Sequence, residues 1–447
     1  MIYKSNMNIE IIGITSLVKD LKIGREAEAI SASYARCSRS REDLSEIRKN
    51  ALNDVEKTRD SNKKIVFEMG HSSIAEHVVL NIDINQISRL AIEHLEHHRL
   101  ASFTEKSQRY QKIDQNGFIP SEMLQTFERE KRFHHINKYS KAIYQELNEK
   151  LPSLKPSLGD PSREDARYAL LMSTPSQLGM SVNARTLELM IKRLRSIDLA
   201  ETQLLSRQLE SKAKHLIPSL IRYTDPLPRT SPLLPSNYGK KSSVEKVKLL
   251  NFTENADQII AAGLLSEFYG TPYYPDKLPY LTAEEIIISQ LRQLSPHCSV
   301  PRAFELANFT FEVILSASAF AQLKRHRLAT ILPGPLDPDL GVEIPPSLIK
   351  ANLDQVFIEY INEVNKLWKE DGPVKSSSYL LTNAHRRRVI ISFNLREFYH
   401  ITRLRMDKHA QWEIRNIVTE MLSLINKKAP LSTSLCGGKD KFHELKI

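Results

Sequence analysis

The stretch HHRLASFTEKSQRY, residues 97–110, brings cations (Arg99, Lys106, Arg109), a carboxylate (Glu105) and three hydroxyls (Ser102, Thr104, Ser107) into one turn-prone segment. Serine, arginine and backbone amides at such spacing make a phosphate cradle. Glu105 among them can hold a sugar hydroxyl or a cofactor. The plainer reading of an arginine-rich turn is a solvated charged face. His94 and His98, four residues apart, and His71 and His77 in GHSSIAEH (70–77) have spacing that invites a metal. No cysteine or acidic third ligand stands at a convincing distance from His94 and His98, and the neighbouring arginines oppose a cation, so no metal site is expected. GHSSIAEH reads instead as a Gly-led turn into a strand.

The segment has a counterpart. HHRLA (97–101) returns as RHRLA (325–329), and Asn183-Ala184-Arg185 returns as Asn394-Leu395-Arg396. An Ile-Pro pair follows the first motif in each half (Ile119-Pro120, Ile344-Pro345), and IEIIGIT (9–15) matches VKLLNFT (247–253) at the start of each. Four anchors in one order mark an internal duplication. A chain of 447 residues accommodates two copies of about 200 residues each. The boundary is TDPLPRTSPLLPSNYGKKSS (224–243), whose Pro226, Pro228, Pro232, Pro235 and Gly239 can continue neither a helix nor a central strand. The expected domains are 1–223 and 247–447, joined by a linker at 224–246.

Each half reads as α+β, with a small twisted sheet and long helices. Alternation and β-branching predict strands at 9–15, 78–84, 247–253 and 309–314. Helical spacing predicts helices at 26–36, 88–97, 283–294 and 318–324, and one long amphipathic helix after each Asn-x-Arg motif, at 186–216 and 397–427. No apolar run approaches the ~20 residues of a membrane span. The start, MIYKSNMNIEIIG, lacks the pattern of a signal peptide. Three scattered cysteines (Cys37, Cys298, Cys436) suit a reduced, cytoplasmic protein. A net charge of +10 reads as a well-solvated surface or as an anionic partner. Short clusters such as KRHR (324–327) favour local phosphate sites over one long basic stripe. RRR (386–388) reads as a surface run or strand-edge charge.

Three motifs together resemble the flavin-dependent thymidylate synthases. His97-His98-Arg99, seven residues and then Ser107 is similar to that family's Arg-His-Arg signature. GHSSIAEH is similar to its Gly-His-x-Ser-x-x-Glu-His segment, and NLREFYHITRLRMDKHAQWEIR (394–415) to its Asn-x-Arg helix ending in Ala-Gln-Trp-Glu-Ile-Arg. The resemblance spans both halves, as two tandem copies of a thymidylate-synthase-complementing-type domain. It implies reductive methylation of dUMP to dTMP: FAD reduced by NADPH, carbon from methylene-tetrahydrofolate, and no cysteine nucleophile. An arginine stabilises negative charge on the pyrimidine ring.

Carried over by residue, the two copies divide the motif. The first keeps Glu105, Lys106, Ser107, Gln108, Arg109 and, sixteen residues before Asn183, Arg167, which the resemblance assigns to dUMP. The second has Pro333, Pro335 and Asp337 at the Glu105, Ser107 and Arg109 positions, and Ser378 at that of Arg167. The second keeps Gln322 and Arg325 for the uracil side, and Arg325, His326, Arg327, Asn394, Arg396 and His400 for FAD, to which Ser73 and Glu105 of the first copy are added. Arg405 takes the catalytic position. The first copy has His94 and His97 where glutamine and arginine belong, and Leu189 and Leu194 where His400 and Arg405 stand. Because the family builds each site from several subunits, these losses are complementary, and one composite site shared by the two copies is expected. The resemblance further implies a homodimer that reproduces a four-subunit assembly, with dUMP, folate and NADPH as partners and no nucleic acid or membrane. The alternative from another class is a non-catalytic pseudoenzyme of this fold that binds nucleotide, flavin or nucleic acid.

Overall fold

A computed structural model describes residues 7–16, 25–37, 40–111, 113, 120–151, 161–228, 245–372 and 374–445. Residues 229–244 of the expected linker, Ile119 of the first Ile-Pro pair and the first six residues lie outside the described residues. In the first half the elements run β1 (Asn8–Ile14), α1 (Arg25–Cys37), α2 (Leu44–Asn53), α3 (Val55–Lys63), β2 (Val79–Ser88), α4 (Arg89–Leu95), β3 (Ala101–Glu105), α5 (Phe127–Lys150), α6 (Pro161–Ala166), β4 (Pro175–Asn183), α7 (Ala184–Arg195) and α8 (Ala200–Leu216). The second half repeats the plan with β5 (Val247–Phe252), α9 (Ala256–Tyr269), α10 (Tyr280–Leu291), β6 (Asn308–Ser316), α11 (Ala317–Leu323), β7 (Thr330–Pro333), α12 (Pro346–Lys350), α13 (Asp354–Asp371), β8 (Arg386–Asn394), α14 (Leu395–Arg405) and α15 (Trp412–Asn426). The strands form two separate antiparallel sheets, ordered β1-β2-β4-β3 and β5-β6-β8-β7. The α+β duplication read from the sequence is therefore present.

Alternation decides which face each sheet covers. On β2, Leu80, Ile82 and Ile84 are buried, whereas Asn81, Asp83 and Asn85 point the other way. On β6 and β8 the buried rows are Phe309, Phe311, Val313 and Leu315, and Val389, Ile391 and Phe393. Helices α11, α14 and α15 contribute Leu323, Phe398, Ile414, Ile417 and Met421 to the same core. Among the described residues, no helix is long and apolar enough to cross a membrane.

The described residues fall into two compact units that do not follow chain order throughout. Unit 1 contains Met1–Gln145 and Leu170–Ser236 and also takes in Phe357–Leu381 from the second half. Unit 2 contains Asn237–Val356 and Thr382–Ile447 and takes in Glu146–Ala169 from the first half. In unit 1 the borrowed segment is held by Arg129, whose Nε and Nη2 donate to the two oxygens of Asp371 at 2.5 and 2.7 Å, and by the edge-to-face pair Tyr139–Tyr360.

Three expectations are corrected. Neither long helix is continuous. Residues 186–216 break between α7 and α8, where the Ser196 hydroxyl bonds back to the Lys192 carbonyl at 2.8 Å and accepts from Leu227 N–H at 2.7 Å. Residues 397–427 break between α14 and α15, where Asp407 accepts from His409 N–H and Gln411 caps the next helix. Arg386-Arg387-Arg388 is neither a surface run nor an edge, because it pairs with β6 on one side and bonds to the 334–341 segment on the other. Alternation sends Arg386 to Glu343 and Arg388 to Glu312, but turns Arg387 to the buried side, 4.7 Å from the Phe320 ring centroid. Finally, 97–110 is not a turn throughout: Ala101–Glu105 is the outermost strand β3, and the turn comes at 108–110.

Candidate functional site

In unit 2 the Arg-His-Arg motif follows the last turn of α11. Its middle residue, His326, is buried, while Arg325 and Arg327 on either side are exposed. Arg405, the last residue of α14, donates its Nε–H to His326 Nε2 at 2.9 Å. A guanidinium only donates, so Nε2 must accept and the ring hydrogen sits on Nδ1. That Nδ1 lies 3.3 Å from Glu397 Oε1, on the first turn of α14. Burial, reinforced by the charges of Arg405 and His400, pushes the His326 pKa well below the usual imidazole value, which keeps the ring neutral. Burial also raises the Glu397 carboxyl. His400 stands exposed with its ring edge-to-face to His326, centroids 5.6 Å apart. Gln322, on α11, is buried with Oε1 3.5 Å from Gln411 N and Nε2 without a hydrogen-bond partner among the described residues.

The Asn-x-Arg motif does structural work in both units. Asn394 caps α14 by accepting from Glu397 N–H at 2.9 Å, as Asn183 caps α7 through Thr186 N–H at 2.8 Å. Arg396 donates to the Val300 carbonyl at 3.0 Å and to Glu305 at 2.9 Å, and Arg185 pairs with Glu76. Each arginine thus ties its helix to the short 3-10 helix (Ser72–His77 or Arg302–Leu306) that precedes the central strand.

The segment 146–169 brings Arg167 into unit 2 rather than into unit 1. Arg167 is buried, its Nε donates to the Glu164 carbonyl at 3.1 Å, and its own carbonyl accepts from Asn383 at 3.0 Å. Beside it the phenol of Tyr168 donates to Glu413 at 2.7 Å and receives the Gln411 amide. Trp412 stacks on Tyr168, and its Nε1–H donates to Asp165 at 3.0 Å. Glu413 also accepts from Ser316 N–H at 2.8 Å and from the Ser316 hydroxyl at 2.5 Å, where β6 turns into α11. Gln-Trp-Glu of the sequence motif is therefore a receptor for the borrowed segment.

Unit 1 holds the other candidates. Glu105, Lys106 and Ser107 line a cleft of about 590 Å³ with Asp83, Asn85 and Thr104 from the polar face of the sheet. The Ser107 hydroxyl accepts from Arg109 N–H at 3.2 Å, closing the turn, and Gln108 is buried. The Arg109 guanidinium lies 5.5 Å from the Tyr110 ring centroid. Glu105 is 3.6 Å from Arg89, a buried arginine that the sequence reading overlooked. Burial works against the Arg89 charge, yet Glu105, Glu93 and Glu96 hold its pKa above the usual value. Ser73 opens onto a different cleft, of about 850 Å³, with Tyr34, Arg36, Lys57 and His71. His98, which matches His326, is buried with its Nδ1–H donated to the Leu95 carbonyl at 2.9 Å, and burial lowers its pKa to about 4. Thr186 and Leu194 stand where unit 2 has Glu397 and Arg405.

The family model for thymidylate synthase complementing protein matches residues 18–219 and 248–431. The chain belongs to this family. A UPF0159 protein of Thermoplasma acidophilum is 25% identical, covering 84% of this chain and 87% of its own length. The flavin-dependent thymidylate synthase of Clostridium tetani is 29% identical over 43% of this chain and 86% of that protein. That of Saccharolobus solfataricus is 29% identical over 44% of this chain and 79% of that protein. A crystal structure of a UMP/dUMP methylase from Streptomyces cacaoi bound with 5-Br dUMP matches with a TM-score of 0.38 at 20% identity, covering 48% of this chain and 93% of that one.

Within this member of the family, the motif residues that unit 2 brings together are His326, His400 and Arg405. Glu397 lies beside them, 3.3 Å from His326, and was not among the candidate site residues. Its signal was available: Glu397 and His400 lie three residues apart on one helix face, with Arg405 two turns on. Tyr168 and Glu413 were out of reach, because their contact depends on a segment crossing from one half of the sequence into the unit of the other.

Proposed function

We propose that the protein is a FAD-dependent thymidylate synthase that converts dUMP to dTMP with methylene-tetrahydrofolate and NADPH. The observation that carries this reading is the contact between Arg405 and His326, which joins the two motifs of the family resemblance into one charged cluster in unit 2. The donor set suits an oxygen-rich, anionic cofactor: Gln322 has a buried amide nitrogen without a partner among the described residues, and the exposed residues Arg325 and Arg327 flank His326. When bound, the flavin supplies the hydride that completes the methyl group.

Arg405 presents a permanently charged, planar donor to the pyrimidine, stabilising negative charge as the ring is activated. Gln322 and Arg325 orient the uracil edge. Arg167, buried in the same unit, is a cation for the phosphate. Glu105, Lys106, Ser107, Gln108 and Arg109 of unit 1 are assigned the sugar and phosphate. Asn394 and Arg396 act through the helix they cap and tie, and His400 lies against the His326 ring.

The test is an absorbance spectrum of the purified protein, then NADPH oxidation with and without dUMP. A flavin spectrum near one FAD per chain, with dUMP-stimulated oxidation, supports the reading. No flavin after FAD is added, with polynucleotide binding that falls steeply with salt, replaces it with the non-catalytic binding protein.

A further inference from the structure

We infer that the open face of the unit 1 sheet is a binding site for a planar ring with a 2-amino-4-oxopyrimidine edge, the edge that guanine nucleotides and reduced pterins share. This goes beyond the synthase reading, and its test needs no turnover. The strands place Asp83, Gly179 and Thr104 in one cross-strand row, and Asn85 opposite Gln177 in the next. These residues and Lys106 line the cleft of about 590 Å³. Gly179 is its floor. A Cβ there would meet only Asp83 Oδ1, at 3.8 Å. A glycine inside a strand marks a place where a ligand can approach the backbone closely. Beside it β2 bulges at Gln86, a residue other than glycine with φ 55°, whereas β6 pairs with β8 in unbroken register. Such bulges re-aim side chains next to functional sites.

Charge sets this face apart from an ordinary solvated surface. Asp83 stands directly across from Glu10, and like charges in that position destabilise a sheet. Among the described residues, Asp83 has no side-chain hydrogen bond or ion pair to offset this, and the side chains of Asn85, Thr104, Gln177 and Lys106 are equally free. The cleft's other carboxylate, Glu105, is already paired with Arg89 at 3.6 Å. In unit 2 the same positions satisfy one another. Glu312, in the place of Asp83, lies across from Lys248 and pairs at 2.9 Å with Arg388, which stands where unit 1 has Gln177. Ile390 takes the place of Gly179, and Leu332 that of Thr104. Unit 1 alone therefore keeps a bare carboxylate and two amides around a glycine floor. A carboxylate only accepts, and its two oxygens match two adjacent N–H groups. A ring N–H beside an exocyclic amino group supplies that pair. Asn85 and Gln177 both donate and accept, so they suit the other ring atoms, and Lys106 suits an anionic tail. Uracil, with one N–H between two carbonyls, would turn an acceptor toward the carboxylate.

The experiment is calorimetric titration of the full chain, without dUMP, with guanosine monophosphate and separately with tetrahydrofolate. At least one should bind, and the tighter of the two identifies the source of the edge. Asp83→Asn should weaken that binding on the order of tenfold or more, as loss of a hydrogen bond to a charged group does. The analogue of the same ligand without its 2-amino group should lose as much on the wild-type chain. Gly179→Val should abolish binding by filling the floor, with the thermal transition retained, since unit 2 carries a β-branched residue at the matching position. Binding of neither ligand would overturn the inference. So would binding that Asp83→Asn and Gly179→Val leave unchanged. A chain that binds in this manner yet forms no dTMP would count against the synthase reading alone.

Discussion

Arg405 ends α14 with its Nε–H donated to the neutral, buried ring of His326. Arg405→Ala should therefore abolish dUMP turnover while FAD absorbance persists. Arg405→Lys should fail almost as badly, because an ammonium cannot hold an imidazole and present a planar fork together. Single-turnover assays with flavin quantified in parallel check this, and full activity in the lysine variant would refute it. In unit 1, Ser107→Ala and Arg109→Ala should raise the KM for dUMP, whereas Pro335→Ala, at the position matching Ser107 in the second copy, should change it little. Equal effects at Ser107 and Pro335 would contradict the division of labour between the copies. Much of this site was legible residue by residue, since Gln322, His326, His400 and Arg405 were all picked out by motif. What could not be read was direction. Asn394 is a local helix cap, and Arg396 is an ion-pair partner of Glu305, a role that depends on a 3-10 helix some ninety residues upstream. Glu105 looked like a ligand for sugar, and its neighbour is a buried arginine.

At the scale of elements, each central strand passes into a short helix through a serine held by a buried glutamate. Ser88 gives its N–H and hydroxyl to Glu201, which also receives the Tyr379 phenol at 2.7 Å. Ser316, Glu413 and Tyr168 repeat this in unit 2. Burial lifts the Glu201 carboxyl from 4.5 to about 7, against the pull of its three donors. Between those two values the folded chain keeps a proton that the unfolded chain has released. Stability from this group is thus fully present below pH 4.5 and is lost as pH rises toward 7. Glu201→Gln should flatten that decline, and thermal unfolding of both proteins across the window decides it; equal slopes would refute the assignment. Tyr379→Phe should cost about 1–3 kcal/mol by leaving the buried carboxylate short of a donor, measured by denaturant unfolding. The strands and first helices of each half were legible from alternation and helical spacing, because there the apolar pattern and the fold agree. The breaks after Arg195 and Arg405 were not. The apolar stripe continues across them, and only the local bonds of Ser196, Asp407 and Gln411 stop the helix.

For the whole molecule, duplication and segment exchange have a joint consequence. Tyr168 and Tyr379 each stand fifteen residues before the Asn of their Asn-x-Arg motif, so they are equivalent, yet each belongs to the unit built mainly from the other half. A chain of residues 1–236 keeps Ser88 and Glu201 but lacks Tyr379, and it lacks Asp371 and Tyr360, the partners of Arg129 and Tyr139. A chain of residues 237–447 keeps Ser316, Glu413 and Trp412 but lacks Tyr168 and Asp165, and with them Arg167. Each piece would carry a buried carboxylate missing one donor and a core face without its covering segment, a combination expected to cost several kcal/mol of a typical domain's 5–15. The two halves produced separately should therefore be poorly folded, with broad, low-temperature unfolding by circular dichroism. Produced together, they should associate and regain a sharp transition, because each delivers the segment the other lacks. Two separate halves that unfold as cooperatively as the intact chain would show that the exchanged segments are dispensable, and that each half closes its own core.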